Sequence, residues 1–374
     1  MMRQYGWIAA LALAVPAVAQ AQSSVTVWGR VGGDVQYLSG VQNGPHSTGS
    51  RFSEGNDWGT SILGITGKED LGGGNQAVFW LESSINAANG NYGGGVLFQR
   101  GAWIGLKNER YGFLRLGQGS FINSYIWSYD PLLEENYSVE SLTSYRNGPK
   151  LSNGIRYESP KFGGFSFALQ ANLGNSSNGW LRGSPNNVGA TGLSDGATVA
   201  YTHGDFEVRA IWNEIRNQYG REDNLFTASQ EAFIGVRERF GPALVQLGYT
   251  RYSAPDTPAG LSRTANYYWG GLTYDATPFL HLQGAVYSMK IDAGQWTADH
   301  SGEGRSTIIG LGTMYDLSKR TFLYATAAHV FNSANANLGV NPQSPGLGNG
   351  NGLGASPMPG HGQTGIYAGI ETLF

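Results

Sequence analysis

The chain is 374 residues long, carries a formal net charge of -3 and contains no cysteine. The lack of cysteine excludes a disulfide scaffold and a thiolate metal site, and the charge provides no basic surface for nucleic acid. The sequence has 57 Gly, 20 Tyr, 16 Phe and 10 Trp but a mean hydropathy of only -0.27. It is therefore rich in glycine and aromatic residues without being hydrophobic as a whole.

The N-terminus has the pattern of a signal peptide. Arg3 precedes an apolar run, Trp7–Val15, that is too short to cross a bilayer, and small residues at a cleavage-like spacing follow it. We expect a signal peptide over residues 1–21 and a single barrel domain over residues 22–374. A buried N-terminal helix is the alternative, and Pro16 disfavours it because proline interrupts a helix.

The first stretch after this segment, "SVTVWGRVGGDVQY", alternates between apolar and polar residues. Valines and Tyr37 occupy the odd positions, whereas Arg30 and Asp34 lie among the even ones. Alternate side chains of a strand point to opposite faces, so this pattern predicts a strand between two environments. No later stretch approaches the roughly 20 apolar residues of a spanning helix, whereas a β-barrel can cross a membrane with every second residue apolar. The two environments are therefore predicted to be lipid and water.

Connections of two kinds alternate along the chain. The short ones are rich in Gly, Pro, Asn and Asp and fall at 68–75, 107–112, 159–164, 202–205, 239–243, 275–281 and 316–321. The long, polar ones fall at about 38–57, 83–98, 118–148, 172–196, 216–230, 253–264, 291–305 and 332–363. Seven short and eight long connections join sixteen strands. The pattern predicts an all-β, 16-stranded antiparallel transmembrane β-barrel with short periplasmic turns, long external loops and an aqueous channel.

Several stretches resemble the general porins of Gram-negative outer membranes, in particular their β-proteobacterial branch. They are "SVTVWGRV", "LGITGKEDLGGGNQAVFWLE", "RGAWIGLKNERYGFLRLGQ", "SYRNGPKLSNGIRYESPKFGGFSF", "YDLSKRTFLYA" and the terminal Phe374. The resemblance implies a homotrimer of 16-stranded barrels in the outer membrane. It also implies that the third long loop, at about 118–148, folds into the pore and narrows it.

The resemblance further implies a constriction in which wall arginines face acidic groups of the third loop. The basic wall positions that match the family are Arg30, Arg100 and Arg146, and Arg115 joins them because Leu114 and Leu116 are predicted to face outward. The acidic loop residues are Asp130, Glu134, Glu135 and Glu140. The family usually has arginine where Ile62 stands and often where Gln118 stands. The constriction is thus expected to carry two fewer positive charges than is usual.

The function expected from these features is passive diffusion of ions and small hydrophilic solutes, with charged groups at the narrowest point setting selectivity. No enzymatic activity, cofactor or metal is predicted. The expected partners are outer-membrane lipid, two further copies of the chain, and the barrel-assembly machinery, which would recognise Phe374; no nucleic acid partner is expected.

Three alternatives stay open. The first is a substrate-selective channel for a sugar or an aromatic acid, with loop aromatics as a stacking surface; these aromatics are Tyr125, Trp127, Tyr129 and Tyr137. The others are a barrel enzyme and a surface adhesin. The enzyme is disfavoured because none of the six histidines falls in a recognisable metal or nucleophile motif.

Overall fold

The structure is a computed structural model. It describes residues 24–44, 46–92, 96–133, 136–143, 146–174, 193–297, 300–301, 303–341 and 356–374. The predicted signal peptide and its cleavage site lie outside the described residues. Within them, no helix is long and apolar enough to span a membrane.

Antiparallel strands make up most of the described chain. In chain order they are β1 (Ser24–Gly44), β2 (Ser47–Gly55), β3 (Ser61–Gly72), β4 (Asn75–Ile85), β5 (Gly101–Asn108), β6 (Gly112–Ser120), β7 (Lys150–Glu158), β8 (Phe165–Asn172), β9 (Ser194–His203), β10 (Phe206–Glu214), β11 (Gln230–Phe240), β12 (Ala243–Ser253), β13 (Thr264–Asp275), β14 (Leu280–Ile291), β15 (Gln295–Thr297), β16 (His300–Ser301), β17 (Gly304–Asp316), β18 (Thr321–Asn332) and β19 (Gln363–Leu373). One 3-10 helix, Ile122–Tyr129, lies between β6 and β7.

The sheet closes on itself because β1 pairs with β19, the last strand. The backbone N–H of Phe374 donates to the Gly29 carbonyl at 3.0 Å, and the Gly29 N–H donates back at 3.1 Å. This sheet contains seventeen strands. β2 and β3 pair with different halves of β1 and therefore occupy one position in the wall together, which leaves sixteen positions. The predicted closed, 16-stranded antiparallel barrel is confirmed. Because β1 and β19 pair with each other, neither of these two strands presents an open edge to lipid.

The connections follow the predicted alternation, with two differences, of which one is that β15 and β16 pair within the predicted irregular connection at 291–305. Short turns lie at all seven predicted places, at one end of the barrel. The predicted irregular connection at 38–57 is wrong, because β1 continues to Gly44 and β2 begins at Ser47, so the two strands form a hairpin in which Leu38 pairs with Arg51. Backbone hydrogen bonds do not depend on side-chain polarity, so this polar segment at the sheet margin forms strands although its composition predicts a loop.

The outer face of the barrel is apolar, as the alternation predicts. On β1, Val25, Val27 and Val35 are exposed, whereas the intervening Asp34 and Gln36 are buried towards the interior. An exposed valine is costly in water but is stabilised by lipid, whereas Asp34 and Gln36 require polar partners.

The buried apolar cluster lies inside the barrel, between the wall and the connection from β6 to β7. Its members include Tyr129 and Tyr137 from that connection and Tyr267, Tyr287 and Tyr367 from strands β13, β14 and β19. The interior is therefore divided, with one side filled by packed side chains and the other left to the channel.

Candidate functional site: the channel constriction

The connection at residues 121–149, called the third loop here, enters the barrel as the 3-10 helix Ile122–Tyr129. Asp130 ends this helix. Its backbone N–H donates to the Trp127 carbonyl at 3.1 Å, and its carboxylate accepts the Leu132 N–H at 3.1 Å. The carboxylate thus satisfies backbone donors in the turn that redirects the loop.

Aromatic side chains of distant strands hold the loop against one wall. The Trp269 indole N–H donates to the Tyr129 carbonyl at 2.8 Å, and the Tyr267 hydroxyl donates to the Val139 carbonyl at 3.0 Å. The Tyr367 hydroxyl donates to the Asn136 carbonyl at 3.2 Å. Backbone carbonyls that would otherwise be buried without donors are satisfied this way, so the path of the loop is fixed by the wall.

Arg146 anchors the end of the loop and is buried, with only 2 % of its surface exposed. Its guanidinium donates to the Ser229 hydroxyl at 3.0 Å, the Ser229 carbonyl at 2.7 Å and the Asn213 side-chain oxygen at 3.0 Å. It also forms an ion pair with Glu231 at 3.3 Å. The structure therefore places Arg146 beneath the loop and not on the lumen surface where the motif match put it.

Two of the four predicted acidic loop residues are also buried. Burial raises the pKa of the Asp130 carboxyl, against the opposing effect of hydrogen bonds from Tyr287 and from backbone N–H groups. Burial likewise raises the pKa of Glu140 to about 7, although the Trp127 indole N–H donates to it at 2.6 Å. Both groups stabilise the loop internally and do not face the channel. Glu134 and Glu135 lie outside the described residues.

A second segment enters the lumen between β2 and β3, at residues 56–60. Its Asp57 carbonyl accepts the Asn136 N–H at 2.8 Å, and its carboxylate accepts the Asn136 side-chain amide at 2.5 Å. Burial and the neighbouring Asp34 raise the pKa of Asp57 to about 7. This segment therefore fixes the third loop on the side opposite to Arg146.

The other three predicted arginines lie along the opposite wall. Arg30 donates to the Thr60 carbonyl at 2.8 Å and lies 3.5 Å from a carboxylate oxygen of Glu371. Arg100, immediately before β5, donates to Glu82 at 2.6 Å. Arg115 on β6 points inward, since Leu114 and Leu116 are exposed on the outer face. The alternation of inward and outward side chains along the strand therefore predicted the inward direction of Arg115.

Three further inward-facing arginines were not singled out in the sequence. Arg156 is the cross-strand partner of Arg115 on β7, and Arg209 and Arg237 lie on β10 and β11. We call Arg115, Arg156, Arg209 and Arg237 the basic arc. The alternation of inward and outward side chains that predicted the direction of Arg115 would also have identified these three arginines, because the neighbours of each along its strand face outward.

The basic arc has more cations than ion-pair partners among the described residues. Arg115 and Arg156 share Glu158, at 3.4 and 2.8 Å. Arg209 and Arg237 share Glu207, each at 3.3 Å. Four guanidinium groups are thus matched by two carboxylates, which leaves a net charge of +2 along this part of the wall.

Tyr125 of the third loop links the loop to this arc. The guanidinium carbons of Arg156 and Arg209 lie 4.9 and 4.2 Å from its ring centroid, so the ring is held between two cations. Tyr129 and Tyr137 are fully buried. Tyr129 also contacts the basic arc, because its hydroxyl donates to Glu207 at 2.5 Å and the Arg237 guanidinium carbon lies 5.9 Å from its ring centroid. Tyr137 packs against Tyr367.

A closed barrel with an apolar outer belt, a loop inside it and charged side chains along the remaining wall defines an outer-membrane channel. Residues 8–335 match the family model described as Gram-negative porin. The chain belongs to this family.

Individual relatives agree with this assignment. The chain is 30 % identical over 383 residues to outer membrane porin protein 32 of Delftia acidovorans, covering 98 % of this chain and 99 % of the relative. It is 27 % identical over 367 residues to an outer membrane porin protein of Bordetella pertussis, covering 87 % of this chain and 94 % of that relative. Among solved structures, an anion-selective porin from Comamonas acidovorans matches with a TM-score of 0.74 and 25 % identity, covering 94 % of this chain and all of that one.

These findings place the protein in the Gram-negative outer membrane as a channel for passive diffusion of solutes. The family and the fold are those of channels and not of enzymes.

Proposed function

We propose that the third loop and the opposite wall form the constriction, that this constriction prefers anions, and that diffusion through it involves no catalysis. The basic arc carries this proposal, because its four arginines share two carboxylates. Arg30 and Arg100 belong to the same constriction, although each is paired with a carboxylate, Glu371 and Glu82 respectively.

The third loop provides little opposing charge among its described residues. Asp130 and Glu140 are buried, and burial raises the pKa of each, which favours the neutral form. The positive wall is therefore less compensated than a constriction with an acidic loop would be. Ile62 and Gln118 occupy positions where the family usually or often has arginine. Positive charge is provided elsewhere on the wall by Arg156, Arg209 and Arg237.

A relative supports the same sign of selectivity. The solved porin from Comamonas acidovorans is described as anion-selective, and it is 25 % identical to this chain over nearly its whole length. That property is a property of the relative. For this chain it supports the proposal together with the charges of the basic arc.

Reversal potentials in a potassium chloride gradient across a planar bilayer test the proposal. Arg115→Gln, Arg209→Gln and Arg30→Gln should each shift permeability towards cations, because a charge in a pore of a few ångströms acts within the roughly 8 Å screening length of physiological salt. The matched control is Arg251→Gln, since Arg251 is exposed near the external end of β12. If the wall variants shift the potential no more than this control, the proposed constriction is refuted.

We also propose that residues 1–21 are removed on export and that three copies assemble in the membrane. The family resemblance supports the trimer, and the spacing of small residues before Gln22 supports the cleavage site. N-terminal sequencing of the purified protein and its mobility on unheated detergent gels test these two points. A start other than Gln22, or a species that is monomeric under all conditions, would refute the respective point.

A further inference from the structure

Three cations lie on the outer face of the barrel, at the end from which the long connections leave. Arg251, Lys290 and Arg305 are exposed, and each lies next to a buried residue of its own strand. Their side chains therefore point away from the channel. By the same alternation, no other Lys or Arg of the described strands faces outward. We call these three residues the outer cations.

Strand pairing brings the outer cations into one row. Arg251 on β12 pairs with Asn266 on β13, which pairs with Lys290 on β14. Lys290 in turn pairs with Arg305 on β17. The Cβ atoms of residues that are directly opposite lie about 4.5–5.5 Å apart, and like charges in such a pair are destabilising. An anion held between Lys290 and Arg305 would remove this repulsion.

The described part of the chain does not supply that anion. None of its carboxylates forms an ion pair with an outer cation, and the one side-chain partner of Arg251 is the neutral Asn266. Two carboxylates lie within two residues of the row along the chain, Asp292 and Glu303. The Asp292 carboxylate accepts the backbone N–H groups of Arg263 and Thr264, each at 3.1 Å. With the exposed Arg263 included, four cations and two carboxylates leave a net charge of +2.

The outer face below the row changes from polar to apolar in two steps. The first step is a row of side chains that end in or consist of a hydroxyl group: Tyr249, Tyr268, Ser288 and Thr307. The second step is a row of exposed aliphatic side chains: Leu247, Val286 and Ile309. Successive outward residues of a strand lie about 6.6–6.8 Å apart, so the surface passes from aliphatic to cationic over about 13 Å.

This order of surfaces matches the order of groups in a membrane lipid. Aliphatic side chains fit acyl chains, and tyrosines occupy the interface between membrane and water. A guanidinium binds phosphate through paired N–H donors, and an ammonium binds it as a point charge. Basic clusters beside a membrane-spanning segment attract anionic headgroups. A soluble anion would use the cations but would leave the aliphatic row without a partner.

We propose that the outer face of β14 and β17 binds a membrane lipid whose headgroup carries a phosphate and a net negative charge. The phosphate lies between Lys290 and Arg305, and an acyl chain lies along Val286 and Ile309. Arg251 extends the positive surface towards β12. The site faces lipid and not the channel, so it goes beyond the proposed function and does not depend on it.

Lipid retention measured by native mass spectrometry tests the site. The assembled full-length protein is purified in micelles that contain equal amounts of phosphatidylglycerol and phosphatidylcholine with the same acyl chains. The lipids that stay bound after transfer to lipid-free detergent are then counted. Wild type should retain phosphatidylglycerol at least about fivefold over phosphatidylcholine, because one cation near an anionic headgroup contributes about that factor. Equal retention of the two lipids would overturn the proposal.

Variants locate the retained lipid. Lys290→Gln and Arg305→Gln should each lower the preference for phosphatidylglycerol by about fivefold, and the double variant should abolish it. The matched control is Lys319→Gln with Arg320→Gln, which removes two exposed cations from the short turn between β17 and β18 at the other end of the barrel. An equal loss in this control would show unspecific attraction of charge and overturn the site. Lys290→Arg keeps the charge and should keep the preference.

Two further outcomes separate the site from a free anion and from the channel. Release of phosphatidylglycerol by an equal amount of inorganic phosphate would show a site for the anion alone and overturn the lipid assignment. The reversal potential of Lys290→Gln with Arg305→Gln should equal that of wild type, because the row faces outward. A shift as large as that of Arg115→Gln would place the row in the channel and overturn the site. Loss of the lipid preference with unchanged anion selectivity supports the site, whatever the outcome for the constriction.

Discussion

Replacing Arg146 by methionine should release the end of the third loop. The substitution keeps an apolar stem of similar length but removes the donors to Ser229 and Asn213 and the cation facing Glu231. Glu231 is 0 % exposed, so its carboxylate would lie in the interior without its guanidinium partner. Breaking a buried ion pair by removing one member costs about 3–5 kcal/mol.

Part of the polar environment of Glu231 survives in this variant. The side-chain amides of Asn213 and Asn123 still donate to it, at 2.9 and 3.2 Å. The cost is therefore expected near the lower end of the range, about 3 kcal/mol. The double variant Arg146→Met with Glu231→Gln removes the unpaired charge and should recover part of the loss.

Two measurements detect the release of the third loop. Single-channel recording of Arg146→Met should show noisier current than wild type, because a loop with a loosened end fluctuates in the lumen. The temperature at which the assembled protein dissociates on unheated detergent gels should fall, and Arg251→Gln provides the surface control. Wild-type noise and an unchanged dissociation temperature in Arg146→Met would show that the anchor does not hold the loop.

Two further predictions concern the loop carboxylate and the end of the chain. Because burial raises the pKa of Glu140 to about 7 from 4.5, the stabilisation from its protonated form is fully present below about pH 4.5 and is lost as the pH rises through 7. Current noise should therefore increase between pH 5 and pH 8, and the increase should be smaller in Glu140→Gln, where the remaining pH dependence comes from Asp57, whose pKa is also raised to about 7. An equal increase in both would contradict the role of Glu140. Deleting Phe374 removes the residue that pairs with Gly29 at the barrel seam and should reduce assembled protein in the outer membrane, whereas Phe374→Tyr should retain it. Equal amounts of the deletion variant and wild type in outer-membrane fractions would remove that role.

The sequence by itself determined the barrel. Alternation along a strand is a local property, so Val25 and Val27 showed their outward direction before any contact was known, and Leu114 and Leu116 did the same for Arg115. Turn residues are equally local, which is why all seven short turns could be located. The hairpin of β1 and β2 could not be predicted from the sequence, because backbone pairing in a polar segment leaves no apolar pattern.

Only the tertiary structure decided whether the charged side chains of the third loop face the channel or are buried. Asp130, Glu140 and Arg146 have ordinary surface-like sequence surroundings, but partners such as Tyr287 and Glu231, far along the chain, bury them. The basic arc also depends on tertiary structure, because Tyr125 of the third loop lies between Arg156 of β7 and Arg209 of β10, which are not neighbouring strands. A residue's own neighbours fix which face of a strand it occupies, whereas the burial and charge balance of that face depend on what the rest of the chain packs against it.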